Sequence, residues 1–231
     1  MIHINKTKDL HFFIFDEKNV NEINIIDLGL NNGSFSKEIQ SYFKNRAKIY
    51  GVEANQKTIN YDLNIKTDNY LISNTSHGKE KLYLNDKDSG SSSSIFKENV
   101  NKFITVETIT LEDYIKKYDL HINNIYVLKI DIEGKEFDIL NEKLINFLSK
   151  CTYQICIEFH DFLVNDDRYK EKIKEIFYHF KKHNFIKINF SRNNGSVLFI
   201  NKKLFFVNYL LYIKIYIYKY IYGIGRILKR L

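Results

Sequence analysis

The sequence predicts an α/β fold built on a mostly parallel sheet. Three observations carry that expectation. Short, nearly uninterrupted apolar runs, the pattern of strands buried on both faces, recur through the central two-thirds of the chain. Helical stretches separate them, as parallel pairing requires. The last two strand-like runs, residues 186–190 and 196–200, flank Arg192-Asn193-Asn194-Gly195, a turn signal that ends the sheet in an antiparallel hairpin.

Residues 24–28 form the first buried run, closed by Gly29 and followed by a helical stretch over 34–45. A second strand is expected over 48–52, stopped by Glu53-Ala54-Asn55. A helix over 58–65 and a third strand over 70–73 follow. These units read as βαβ repeats. Residues 79–84 and 103–110 alternate in polarity on either side of the serine-rich stretch 88–94, which reads as a mobile lid or as a flexible linker. Thr110 opens a short helix over 111–117, with Glu112 and Asp113 in the first turn, where the helix dipole favours acids. A fourth strand over 125–130, apolar but for Lys129, ends in Asp131-Ile132-Glu133-Gly134, and a helix runs on through Leu148. The fifth, 153–159, ends in Glu158-Phe159-His160-Asp161. Residues 166–183 then form an amphipathic helix with Ile173, Ile176, Phe177 and Phe180 on one stripe.

With 231 residues, 44% of them apolar and 27% charged, the chain can bury an ordinary core, which excludes disordered and collagen-like classes. Seven of the 35 basic residues and none of the 28 acidic ones lie from Lys202 onward, so residues 1–201 are formally neutral. That leaves no basic face for a nucleic-acid backbone, and no nucleic-acid partner is expected. The division predicts a domain over 1–203 and a basic, aromatic tail over 204–231. Cys151 and Cys156, five residues apart, fall on opposite faces of a strand, so no bridge is expected between them. With an N-terminal stretch unlike a secretory signal, this implies a reducing, cytoplasmic setting.

The sharpest chemical signal is Asp27-Leu28-Gly29-Leu30-Asn31-Asn32-Gly33-Ser34. A buried strand, a glycine turn and a helix start let backbone approach a nucleotide-type ligand closely. The spacing is not that of a dinucleotide fingerprint. Asp27 would repel a pyrophosphate but suit a ligand with a cationic amino acid end. Glu53, at the end of the second strand, stands where an acid accepts hydrogen bonds from ribose hydroxyls. Asp131, Glu133, Glu158 and His160 all close strands at the crevice side of such a sheet. His160 is the natural general base, with Asp131 orienting it or serving as base itself. Carboxylate and imidazole at Asp131, Glu158 and His160 suit several divalent ions, yet no spacing is diagnostic and no metal is expected.

Four blocks in order, Asp27 to Ser36, Val52-Glu53-Ala54-Asn55, Leu128-Lys129-Ile130-Asp131-Ile132-Glu133-Gly134-Lys135-Glu136 and Ile157-Glu158-Phe159-His160, resemble the FkbM family of S-adenosylmethionine-dependent methyltransferases. The likeness spans roughly residues 24–162. Leu30, Asn32 and Ala54 depart from the family's usual Ala, Ile and Pro. The resemblance implies a Rossmann-like class I methyltransferase fold, S-adenosylmethionine as cofactor and O-methylation of a saccharide or glycolipid acceptor, in keeping with bacterial surface-polysaccharide biosynthesis. Carried over by position, Asp27, Gly29, Asn31 and Gly33 line the methionine and ribose side, Glu53 holds the ribose and Asn74 meets the adenine edge. A non-catalytic binding module that keeps the pocket is the competing reading; turnover of cofactor to S-adenosylhomocysteine separates the two.

In the tail, the longest charge-free run is too short to span a membrane. As a helix, Lys219, Arg226, Lys229 and Arg230 gather in one sector and Ile213, Ile217, Ile221, Ile224, Ile227 and Leu228 opposite. That fits an amphipathic helix lying peripherally on an anionic membrane surface, the inner face of the cytoplasmic membrane. A strand or a dimerisation helix are the other readings.

Overall fold

The computed structural model describes residues 2–16, 23–59, 65–84, 92–93, 102–161, 166–191, 195–205 and 209–228. An antiparallel hairpin comes first, β1 (Ile2–Lys6) and β2 (Phe12–Asp16), followed by β3 (Ile23–Leu28), α1 (Ser34–Phe43) and β4 (Ala47–Val52). Next come β5 (Lys66–Asp68), β6 (Leu71–Ile72), β7 (Lys79–Leu84), β8 (Ser92–Ser93) and β9 (Phe103–Ile109). The helices α2 (Leu111–Lys117) and α3 (Leu120–Asn123) lead into β10 (Ile125–Ile130). Two further helices, α4 (Glu136–Ile139) and α5 (Glu142–Cys151), lead into β11 (Thr152–Ile157). The chain continues through α6 (Asp167–Lys182), β12 (Phe185–Asn189), β13 (Val197–Asn201) and α7 (Tyr209–Leu228).

The main sheet has seven strands in the order β12-β13-β11-β10-β3-β4-β5. Neighbouring strands from β11 to β5 pair in parallel; β13 runs antiparallel to both β11 and β12. The central strands β3 and β10 are buried at every position, which is why their sequences lack polar alternation. Alternate residues feed two cores. Ile26, Leu128 and Ile155 face α2, α5 and α6 through Tyr114, Leu148 and Phe180. Ile25, Val127 and Cys156 face α1, the N-terminal hairpin and α7 through Phe35, Phe13, Leu211 and Ile215. Cys151 and Cys156 are both free and lie in opposite cores.

The hairpin is tied down by distant residues. The Gln154 side chain accepts from Ile14 N and donates to Ile14 O, both at 2.7 Å, a substitute for a neighbouring strand. Ser196 Oγ donates to Leu10 O at 2.6 Å, and the Phe12 ring meets Tyr218 and Tyr222 of α7.

Several expectations are corrected. The third parallel strand is β5, not residues 70–73; Leu71–Ile72 joins a separate four-stranded sheet, β6-β9-β7-β8. Polar and only three residues long, β5 carries almost no pattern, whereas Leu71 and Ile72 are buried between layers. The helix expected over 58–65 falls largely outside the described residues; before it, Gln56–Thr58 is a single 3-10 turn. The helix through Leu148 breaks in two, because Asn141 caps a new one, its side chain accepting from Leu144 N. The terminal hairpin stands as expected at the end of the sheet, with β13 between β11 and the edge strand β12. The turn residues 192–194 lie outside the described residues, as does most of 88–94.

Among the described residues, no helix is long and apolar enough to cross a membrane. The α7 helix packs through Leu211 and Ile215, with Tyr218 and Tyr222 against the same core. Its other side carries Ile213, Ile217, Tyr220, Ile221 and Ile224, all exposed.

Candidate active site

Because β4, β3, β10 and β11 lie side by side and parallel, the segments after their carboxyl ends gather at one end of the sheet, where open α/β sheets carry their ligand crevice. These are Gly29–Gly33, Glu53–Asn55, Asp131–Gly134 and Glu158–Asp161. Gly29 and Leu30 both donate to Val52 O, at 3.0 and 3.1 Å, which bends the loop over the end of β4. Gly29 has φ 77°, and a Cβ there would lie 1.8 Å from the Asp131 carbonyl oxygen. Only glycine permits both the left-handed turn and that approach.

Under the loop lies a buried ion pair. Asp27 and Lys129 are cross-strand partners in the β3–β10 register. Lys129 Nζ lies 2.8 Å from Gly29 O, 3.1 Å from Asp27 Oδ1 and 3.3 Å from Asp131 Oδ2. Ser36 Oγ donates to Asp27 Oδ2 at 2.6 Å. Burial alone would lower the Lys129 pKa, but the flanking Asp27 and Asp131 charges raise it. Burial likewise acts to raise Asp131, yet Lys129, with His11 and His160, holds its carboxyl well below the usual range.

Glu53 is the loop's tether. Its Oε2 accepts from Asn31 N and its Oε1 from Asn55 N, each at 2.7 Å. Burial pushes its carboxyl above the ordinary value, against the lowering pull of those two amides. Each oxygen keeps a further lone pair, the number two adjacent hydroxyls require.

An acidic cluster forms the opposite wall. His160 Nδ1 lies 2.9 Å from Glu136 Oε1, which also accepts from Ile132 N at 3.0 Å. The other ring nitrogen, Nε2, is 3.5 Å from both Asp131 Oδ1 and Glu133 Oε2. Glu133 itself adopts φ 50°, an uncommon left-handed conformation for this residue type. His11 Nε2, carried in by the N-terminal hairpin, is 3.4 Å from Asp131 Oδ2. Burial and the Asp131 charge push Glu158 up to about 7; burial, opposed in part by His160, does the same to Glu133. Although burial opposes it, the Glu136 hydrogen bond and the surrounding carboxylates push His160 up to about 10.

Gly29, Asn31, Gly33, Glu53, Asp131 and His160 all lie in the segments gathered at the carboxyl ends of β3, β4, β10 and β11, while Asp27 and Asn74 stand differently. Asp27 is 0% exposed and reaches no open surface; its carboxylate holds Lys129 and Ser36 instead of lining a pocket. Asn74 is exposed and borders a cleft of about 360 Å³ with Ser73, Thr110 and Asn141. The carboxylates around His160 favour its protonated form, so a base or a ligand at Nε2 first has to give up that proton. Sequence reasoning missed three contributors. Lys129 was signalled by being the one charge in a buried run, Glu136 by its place in the Asp131–Glu136 block, and His11 by nothing local.

The family model described as methyltransferase FkbM domain matches residues 27–187, from the first loop to β12. No curated protein matches the chain. Among solved structures, the plantazolicin methyltransferase BpumL in complex with SAH is similar at 13% identity and TM-score 0.34. That alignment covers 78% of this chain and 76% of that one.

Proposed function

The chain belongs to the methyltransferase FkbM family, and from that premise we propose that it is an S-adenosylmethionine-dependent O-methyltransferase with a Rossmann-like class I fold. The observation that carries this reading is the tethered loop. Glu53 fixes Asn31 and Asn55 through their amides while its remaining lone pairs stay available for a ribose, beside the tight turn at Gly29. The Gly29–Gly33 segment and Glu53 would hold the cofactor, which supplies an electrophilic methyl group on a sulfonium.

The chain's own task is to align an acceptor oxygen and accept its proton. Asp131 Oδ1 and Glu133 Oε2 gather at His160 Nε2 and both side chains are partly exposed, whereas Asp131 Oδ2 is taken by Lys129 and His11. A wall of carboxylates suits an acceptor rich in hydroxyl donors and repels phosphate, so we assign a saccharide or glycolipid hydroxyl as substrate, in surface-polysaccharide biosynthesis.

Calorimetric titration with S-adenosylhomocysteine tests the cofactor assignment. Wild type is expected to bind, and Glu53→Gln at least tenfold more weakly, since an amide nitrogen cannot accept from the loop N–H it would face. A folded wild type that binds neither S-adenosylhomocysteine nor S-adenosylmethionine overturns the reading.

The exposed stripe of α7 supports peripheral contact with an anionic membrane, where a lipid-linked acceptor would reside. Ile217 and Ile221 are 52% and 64% exposed, and every charged residue from Lys202 onward is basic. Because Leu211 and Ile215 belong to the core, deleting the helix would damage the fold. The cleaner variant is Ile217→Asp with Ile221→Asp. Wild type is expected to cosediment with phosphatidylglycerol vesicles, and the double variant to remain in the supernatant with an unchanged melting temperature. No sedimentation of wild type would refute the membrane contact.

A further inference from the structure

We propose that Asp131, Glu133 and His160 form a divalent-cation site at the acceptor end of the crevice, with Glu133 in the place that the sequence alone offered to Glu158 and against the expectation of no metal. The ligand atoms, Asp131 Oδ1, Glu133 Oε2 and His160 Nε2, all lie within 4.8 Å of one another. His160 Nε2 stands 3.5 Å from each carboxylate oxygen. That spacing is longer than a charge-assisted hydrogen bond, which closes to about 2.7–2.9 Å. It matches ligands arranged around one ion, because neighbours bound at about 2.1 Å stand roughly 3.0–3.4 Å apart in octahedral or tetrahedral geometry.

The second observation is the support behind the imidazole. His160 is 4% exposed, and its Nδ1 is locked at 2.9 Å by Glu136, whose side chain is fully buried. A carboxylate behind a histidine is the arrangement that fixes the tautomer and aims the opposite nitrogen at a metal. Asp131 is divided in the same sense. Its Oδ2 is paired with Lys129 and lies 3.4 Å from His11 Nε2, leaving Oδ1 toward His160. Glu133, whose backbone is left-handed at φ 50°, brings its Oε2 to 3.5 Å from the same imidazole nitrogen.

One imidazole and two carboxylates suit Mn²⁺, Mg²⁺ or Zn²⁺. Asp131 and Glu133 are 22% and 33% exposed, so a cation held there would have room for water or an acceptor hydroxyl. A cation there would orient that hydroxyl and lower its pKa. This role toward the acceptor rests on the methyltransferase reading; the site itself does not.

Mn²⁺ is the probe. Full-length, metal-free protein is titrated with MnCl₂ by calorimetry and by loss of the free-ion paramagnetic resonance signal. One equivalent is expected to bind wild type and the control Glu171→Gln, whose side chain lies outside the crevice. Glu133→Gln, checked for unchanged circular dichroism, is expected to bind at least tenfold more weakly. Absence of stoichiometric binding, or equal affinity in folded Glu133→Gln, overturns the site. For the role, chelated enzyme is expected to bind S-adenosylhomocysteine but to transfer methyl only after Mn²⁺ is restored; transfer undiminished by excess EDTA overturns the role. If wild type binds Mn²⁺ but no S-adenosylhomocysteine, the methyltransferase reading fails and the cation site stands.

Discussion

Lys129→Met is expected to destabilise the protein by about 3–5 kcal/mol, the usual cost of removing one partner from a buried charge cluster. Methionine fills most of the space, so the loss is electrostatic and not a cavity effect. Lys129 Nζ is the cation between Asp27 and Asp131 and also caps the Gly29 carbonyl. Without it, Asp27 keeps only the Ser36 hydroxyl in a fully buried position. Thermal unfolding should report a fall of roughly 10 °C for a chain of this size. The double variant Asp27→Asn with Lys129→Met should regain part of that loss, because one of the stranded charges is gone. A double-mutant cycle reads the coupling directly. Strict additivity of the two single changes would mean that the pair contributes nothing, against the 3.1 Å geometry.

Gly29→Ala is expected to be worse for function than any other single methyl added in the crevice. The new Cβ would sit 1.8 Å from the Asp131 carbonyl oxygen and 2.9 Å from its carbon, both backbone atoms at the end of β10. No rotamer relieves such a clash, so β3 and β10 must separate where Lys129 and Asp131 hold them together. Left-handed strain at φ 77° adds about 1 kcal/mol. Gly33→Ala is the internal comparison. Its φ of 76° imposes the same strain, so a loss near 1 kcal/mol is expected there. Gly29→Ala should lose at least about 3 kcal/mol and any measurable affinity for S-adenosylhomocysteine. Equal effects of the two substitutions would show that the contact with Asp131 is not a constraint.

The parts of the fold legible in the sequence are those in which local pattern and tertiary position agree. The buried strands β3 and β10 read as continuous apolar runs because both of their faces are covered. Thr110 and Asp166 mark helix starts by chemistry that acts over two or three residues, and the structure uses both as caps. Where the deciding contact is remote, the sequence misleads. Lys66–Asp68 is polar and pairs only because β4 offers an open edge, whereas Leu71–Ile72 is apolar because a second sheet needs it. In the site, Glu53 and the Asp131–Glu136 block were visible as acids at strand ends. The part Asp27 plays was not, because nothing local says that Lys129 lies beneath the glycine turn and consumes its charge. His11 was invisible for the same reason: its partner is 120 residues away.

That separation also sets an order of events. The hairpin carrying His11 is held by Gln154, Ser196 and the tyrosines of α7, all from much later in the chain. Closing a loop of about 140 residues costs roughly 4 kcal/mol of chain entropy before any contact repays it. During synthesis, Phe12–Phe15 emerge long before the sheet and helix that cover them. The aromatic strand must wait, apolar and unpaired on one side, until β11 and β13 exist. The contact of His11 with Asp131 therefore needs nearly the whole chain in place, although the segment that carries His11 is translated first.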